Sequence, residues 1–339
     1  MSLDVTGLPV VGITMGDAAG IGPEIVLKAI LDENIRTACR CVIIGDAVHL
    51  RRLAADLGLD VGIGLFGEAG SKGPRTVEVF DLKNLPEHFT IGVDAAVTGK
   101  ASAENIEAAV NLWREKKIDA ICTAPISKKA IHLGGYDFPG HTEFLAALTG
   151  TQKFAMSFFA EKLRVVLLST HLSLTNAIAL VKKDRLVDLI RFSADELGKL
   201  LHKKVSIAVA GLNPHASEGG MFGSEEQTEV TPAIEHCRNE HGINVSGAYS
   251  PDTIFLRGSR GEFDGVIALY HDQATIAVKS LSFGAAVNVT LGLPLIRTSV
   301  DHGTAYDIAG KGVSDASSMV AAVKLAAELA VGSRKFTEI

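Results

Sequence analysis

The sequence predicts an α/β protein whose strands form a largely parallel, buried sheet spread over two domains. Three observations predict this. Short runs rich in Val and Ile recur along the chain and alternate with helical patterns. At 339 residues the chain is long for one domain and comfortable for two. Hydrophobic residues make up 47% and charged residues 21%, the balance of a globular protein with a large core.

In chain order the expected strands are Val10–Thr14, Cys41–Gly45, Val77–Phe80, Ala120–Thr123, Ala155–Phe159, Arg164–Thr170, Val205–Ala210, Val266–Tyr270 and Ala286–Val289. They are short and apolar, as strands buried on both faces must be. Between them the spacing predicts helices over Glu24–Leu31, Ala103–Lys116, Leu186–Leu201, Glu225–Asn239 and Ser317–Leu329. Pro23 suits the first position of the first of these. No fixed-period repeat or low-complexity stretch interrupts the alternation, and no obvious linker marks a domain boundary.

A net charge of −6 argues against a general nucleic-acid surface, although a local basic pocket stays open. No apolar run is long enough to span a bilayer, so no membrane partner is expected. Met1-Ser2-Leu3-Asp4 lacks the basic and apolar regions of a secretory signal. The four cysteines include no C-x-x-C pair, and Cys122 lies in an apolar run as a small buried hydrophobe would. A reduced, cytoplasmic protein is expected.

In open α/β sheets ligands sit outside the carboxyl ends of the strands. Three histidines hold that address: His171 after Val165–Thr170, His215 after Ile207–Ala210 through Gly211-Leu212-Asn213-Pro214, and His271 after Val266–Tyr270. Each alone could be a hydrogen-bonded loop residue. Three neutral imidazoles together could hold zinc or a first-row neighbour and leave positions open for substrate.

Two helix starts are candidate anion sites. Gly16-Asp17-Ala18-Ala19-Gly20-Ile21-Gly22-Pro23-Glu24 follows the first strand; it is either a ligand loop or a structural turn, and it lacks G-x-G-x-x-G spacing. Gly140-His141-Thr142-Glu143 opens another helix, where Thr142 could be a simple N-cap or could join His141 in holding a phosphate or carboxylate. Lys279, Asn288 and Arg297 fall in one short span and could clamp anionic groups.

Together, Ile13-Thr14-Met15-Gly16-Asp17, Pro139-Gly140-His141-Thr142-Glu143, Gly211-Leu212-Asn213-Pro214-His215, Pro251-Asp252-Thr253, Tyr270-His271-Asp272-Gln273 and the stretch Asn288 to Gly312 resemble one family. These are the 4-hydroxythreonine-4-phosphate dehydrogenases of vitamin B6 synthesis, with their paralogues acting on threonate- or erythronate-4-phosphate. The resemblance runs from about Val11 to the last helix. It implies that His171, His215 and His271 are metal ligands. It further implies that His141, Thr142, Asp252, Lys279, Asn288 and Arg297 contact a small phosphorylated hydroxy acid. NAD and a divalent metal (Zn, Mg, Co or Mn) are the implied cofactors. The implied assembly is a homodimer whose site is completed across the interface, His271 serving the neighbouring subunit.

The segment His302-Gly303-Thr304-Ala305-Tyr306-Asp307-Ile308-Ala309-Gly310-Lys311-Gly312 is also similar to the adenosine loop of isopropylmalate dehydrogenases. That implies two α/β/α domains of the isocitrate/isopropylmalate dehydrogenase-like type with an active-site cleft between them. Residues 1–139 with 290–339 would form the terminal domain, and 140–289 the central one. His302, Gly303, Thr304 and Asp307 would bind the cofactor, Asp307 accepting from the ribose hydroxyls and so favouring NAD over NADP.

Three positions depart from the family: Ala18 for a usual proline, Ser217 for a usual glycine, and Ala274-Thr275-Ile276 for a glycine-led stretch. The expected chemistry is oxidation of a secondary alcohol followed by loss of carbon dioxide from a β-keto acid. The general base is open between Lys279, Asp252 and a metal-bound water. Two other readings remain: a cyclic diol dehydrogenase on the same scaffold, and a non-catalytic metal- or ligand-binding protein.

Overall fold

The computed structural model describes residues 7–68, 75–282 and 286–337, with side chains to Ser333; Met1-Ser2-Leu3-Asp4 lies outside them. The elements run β1 (Val10–Thr14), α1 (Gly22–Ala29), α2 (Glu33–Ala38), β2 (Arg40–Gly45), α3 (Ala47–Asp56), β3 (Gly62–Leu65), β4 (Thr76–Asp81), α4 (Ala96–Arg114) and β5 (Ala120–Thr123). Next come α5 (Lys128–Leu133), α6 (His141–Thr149), β6 (Ala155–Ala160), β7 (Leu163–Leu167), α7 (Leu174–Ala179), α8 (Lys183–Leu201), β8 (Ile207–Ala210), α9 (Thr231–His241) and β9 (Val245–Tyr249). Last are α10 (Pro251–Ser259), β10 (Gly265–Ala268), α11 (His271–Ser282), β11 (Val287–Leu291), β12 (Ile296–Ser299) and α12 (Ser317–Thr337). The α/β class read from the sequence is the class of the molecule. No helix among the described residues is long and apolar enough to cross a membrane.

Two compact units divide the chain: Met1–Gln152 with Leu293–Arg334, and Lys153–Gly292 with Lys335–Ile339. Strand β1 and helix α12 as far as Arg334 therefore share a unit. Helix α6, which carries His141 and Thr142, falls in the first unit.

In the first unit the strand order is β3-β4-β2-β1-β5-β12, and each of the pairings is parallel. All five residues of β1 are buried, as befits a strand with neighbours on both sides and helices over both faces. Thr14 pairs with Thr123, and Thr123 with Ser299, so β1, β5 and β12 end level. The loops that follow these three strands emerge at one edge. Ile106, Ile121, Phe144 and Leu145 belong to the core beneath.

Helix α4 starts at Ala96, a full turn and more before the expected Ala103. Gly99 accounts for the difference. A Cβ there would stand 1.8 Å from the Ala130 carbonyl oxygen of α5, so the close α4–α5 approach requires glycine at a helix-interior position.

In the second unit the order is β11-β6-β7-β10-β8-β9. Strand β6 runs antiparallel to both β11 and β7, while β7, β10, β8 and β9 are mutually parallel. Leu167 pairs with Ala268, and Ile267 with Val209, so the carboxyl ends of β7, β10 and β8 also lie level. Strand β7 ends three residues short of the expected Thr170. Past Leu167 the chain leaves the ladder: the Leu168 amide donates to the Ala268 carbonyl, and the Ser169 hydroxyl to that of Leu269. Strand β8 starts two residues late because Asp264 takes the Ser206 amide and hydroxyl. The core of this unit gathers Leu163, Val165, Val266, Ile254, Phe255 and Val278.

Candidate active site

At the carboxyl edge of the first unit a cation is buried. Arg297 is the second residue of β12 and is 3% exposed. Its Nε and one terminal nitrogen donate to Thr123 Oγ1 on β5, at 3.2 and 2.8 Å. Burial lowers its pKa to about 10, with Cys122 and Glu143 opposing, so the guanidinium stays charged at neutral pH. His141, the first residue of α6, has a buried Nε2 with no hydrogen-bond partner. Burial, and secondly Arg297, holds this imidazole well below its ordinary pKa, so the ring is neutral. A buried cation beside an unpartnered imidazole nitrogen at the start of a helix is a candidate site for an anion. Thr142 is not the N-cap: the helix already begins at His141, with Gly140 as its cap.

The three strand-end histidines all belong to the second unit. His171 follows β7, His271 opens α11 after β10, and His215 follows β8. The His171 and His271 rings lie 5.8 Å apart, centroid to centroid. Asp272 Oδ1 is 2.7 Å from His271 Nδ1, which orients the ring and leaves Nε2 outside that contact. An imidazole pair with a third imidazole on the same edge suits zinc or a first-row metal. Among the described residues no group of three or more His, Cys, Asp or Glu closes into a complete metal set within one chain.

His215 sits in an unusual turn. His215, Ala216, Ser217 and Glu218 all have left-handed backbone, with φ of 53°, 52°, 64° and 43°. Two side chains that the sequence reading gave no role hold this turn in place. The Glu226 carboxylate, 3% exposed, accepts from the Leu212 and Asn213 amides at 2.7 Å each and from Asn213 Nδ2 at 2.9 Å. Gln273 accepts from the Leu269 amide at 2.7 Å and donates to the Gly211 carbonyl at 2.8 Å. It therefore stitches the start of the His271 helix to the loop that carries His215. The Glu225-Glu226 doublet at a helix start was the visible signal for the first, and Gln273 stood within a quoted motif.

The other expected contacts are dispersed over the second unit. Asp252 is exposed at the start of α10, where Ser250 donates to it at 2.5 Å. Lys279 is exposed on α11, eight residues past His271 and so roughly 12 Å along the helix. Asn288 on β11 has a buried side-chain oxygen without a partner. Of the departing positions Ala274-Thr275-Ile276, Ala274 is fully buried in the core and Thr275 is 8% exposed, whereas Ile276 is 67% exposed.

Four amides of the glycine-rich turn after β1 bond within the protein. The Asp17 amide donates to the Pro125 carbonyl, Ala19 to Asp17 Oδ1, Gly20 to the Asp17 carbonyl and Ile21 to the Thr304 carbonyl. These four amides are committed to the fold itself. The turn's partner is the segment after β12, in which His302 and Gly303 are exposed, Thr304 is half-buried and Asp307 is exposed. His302 Nδ1 lies 3.1 Å from the Gly303 carbonyl oxygen.

Residues 37–326 match the model of the family described as pyridoxal phosphate biosynthetic protein PdxA. A D-threonate 4-phosphate dehydrogenase of Cupriavidus necator is 45% identical over 326 residues, 95% of this chain and 98% of that protein. A 4-hydroxythreonine-4-phosphate dehydrogenase of Desulfosudis oleivorans is 42% identical, over 95% and 96% of the two chains. The crystal structure of a 4-hydroxythreonine-4-phosphate dehydrogenase from Klebsiella pneumoniae superposes with a TM-score of 0.88 at 39% identity, covering 95% of this chain and 99% of that one. The chain belongs to the PdxA family.

Proposed function

We propose that the protein is an oxidoreductase that oxidises the secondary alcohol of a 4-phosphorylated four-carbon hydroxy acid. The observation that carries this is the buried Arg297 beside the unpartnered Nε2 of His141 at the start of α6. A guanidinium at that position favours a phosphate or carboxylate over a neutral diol. That favours a phosphorylated acid over a cyclic diol as substrate. The relatives named above support the same class of substrate. Their two named substrates differ only at C2, which bears a hydroxyl in threonate and an ammonium in 4-hydroxythreonine.

His171, His215 and His271 would hold a divalent metal, with a second copy of the chain completing the set. NAD would lie on the His302–Asp307 segment, with the Asp307 carboxylate accepting from the ribose and repelling a 2′-phosphate. When bound, the metal supplies charge that lowers the pKa of the substrate alcohol, and the nicotinamide supplies the hydride acceptor. Asp272 keeps the His271 ring in its ligating orientation. Arg297, His141 and Thr142 would fix one anionic end of the substrate, and Lys279 and Asn288 of the second unit are further donors for a phosphorylated acid. The new ketone is β to the carboxylate, so the bond to carbon dioxide is the next to break. Lys279 and Asp252 are the side chains available to move the alcohol's proton.

The test is His215→Ala. The variant should retain its circular-dichroism spectrum and melting temperature but lose bound metal by elemental analysis, and turnover with it. If it binds metal as the parent does, the histidine site is refuted.

A further inference from the structure

The Thr304–Ser314 segment of the first unit is fixed by helix α1 and the turn preceding it at three separated points. At its start, the Ile21 amide donates to the Thr304 carbonyl at 2.9 Å. Gly20 permits this, because a Cβ there would meet the Thr304 carbonyl oxygen at 2.8 Å. At its middle, the Tyr306 hydroxyl donates to Asp17 Oδ2 at 2.7 Å, and Asp17 is fully buried. Burial, and secondly Asp17, push the Tyr306 phenol well above its ordinary pKa, so it remains a donor. Asp94 takes the Ser127 hydroxyl nearby and is held below the usual carboxylate range by that bond first. At its end, the buried Glu24 carboxylate accepts from the Ser314 amide at 2.9 Å and the Gly312 amide at 3.3 Å. Lys28, one turn further on α1, donates to the Gly312 and Ser314 carbonyls at 2.9 and 2.8 Å and pairs with Glu24 at 2.8 Å.

The common effect of these contacts is to hold the backbone of one segment, exposed only at Asp307, Gly310, Lys311 and Val313. Ala305 sits at φ 42° within it, a conformation that the flanking anchors must enforce.

We infer that Tyr306, Glu24 and Lys28 are positioning residues for the dinucleotide, holding its binding segment in the bound shape before the cofactor arrives. The inference rests on the reading of His302–Asp307 as the cofactor segment. None of the three residues need touch the cofactor. Loosening them makes binding carry the ordering of the segment, which weakens affinity without altering the chemical step.

The experiment is calorimetric titration of NAD⁺ into the metal-loaded protein, alongside steady-state kinetics and thermal melting, for Tyr306→Phe, Glu24→Gln and Asp307→Ala. Tyr306→Phe removes one hydroxyl, and Glu24→Gln replaces a double acceptor with a single one. Each should raise the Kd for NAD⁺ about tenfold, the effect of losing roughly one hydrogen bond's worth of preorganisation. The kcat at saturating NAD⁺ and the KM for the hydroxy acid should stay within about twofold of the parent. Unchanged NAD⁺ affinity in both variants, with Asp307→Ala weakened, overturns the inference and leaves the cofactor segment standing. Equal losses in kcat and in both KM values also overturn it, because they indicate a general structural role. Unchanged affinity in Asp307→Ala overturns the cofactor segment and the inference with it.

Discussion

Two histidines of the first unit are neutral rings, with different consequences. His141, half-buried, lies near Arg297 and keeps an unpartnered buried nitrogen at the proposed anion site. His49, on α3, is 5% exposed, packs against Phe89 at 5.3 Å and has both ring nitrogens buried without a partner. Burial, and secondly Arg52, lower its pKa to about 4. In the unfolded chain the ring titrates near 6.5. The unfolded state therefore takes up a proton between pH 6.5 and 4 that the folded state refuses. This contribution to stability is complete above the unfolded pKa and is lost as pH falls through that window, by about 3 kcal/mol in total. Urea unfolding of the parent and of His49→Leu at pH 7 and pH 5 measures it. The parent should lose about 2 kcal/mol more than the variant over that interval. Parallel pH profiles would contradict the assignment.

At the scale of elements, the turn from His215 to Glu218 is a run of four left-handed non-glycine residues in the second unit. Left-handed backbone costs an L-residue roughly 1–2 kcal/mol, and Glu226 and Gln273 hold the turn against that cost. Ser217 sits at φ 64°, a backbone angle that favours glycine. Ser217→Gly should therefore raise the free energy of unfolding by about 1 kcal/mol, read as a higher urea midpoint. A lower midpoint would show that the buried serine side chain outweighs the strain.

The same scale shows what the sequence makes legible. Strands such as Val10–Thr14 and Ala120–Thr123 appear in place, because continuous burial on both faces leaves an apolar run that side-chain pattern reports directly. Strand β12 escapes that signal, since its middle is Arg297-Thr298 and its burial serves a charged side chain. Strands β3 and β9 are short and only partly buried. The strand-end address of the three histidines is legible because sheet topology fixes it. Their support by Glu226 and Gln273 is not, because those bonds go to backbone atoms that carry no sequence signature. The turn after β1 reads equally as ligand loop or structural turn, and the carbonyls of Pro125 and Thr304 that accept its Asp17 and Ile21 amides carry no sequence signature.

For the whole molecule, the division of labour follows from topology. The first unit carries the buried cation, the His141 helix start and the braced Thr304–Ser314 segment. The second carries the three histidines, Lys279 and Asn288. Each set stands at the carboxyl edge of its own strands, where ligands of open α/β sheets gather. Fixed backbone braces lie under both the proposed cofactor segment and the proposed metal loop. The account thus predicts a protein whose binding surfaces are largely preformed and whose specificity lies in the anionic ends of its substrate. The most direct measurement is the rate of NADH formation, with a divalent metal present, on 4-hydroxythreonine-4-phosphate, threonate-4-phosphate and erythronate-4-phosphate, each beside its unphosphorylated counterpart. The account predicts turnover on at least one phosphorylated acid, and a kcat/KM lower by a factor on the order of 10² or more without the phosphate. Equal turnover with and without phosphate, or none on any of the acids, would contradict it.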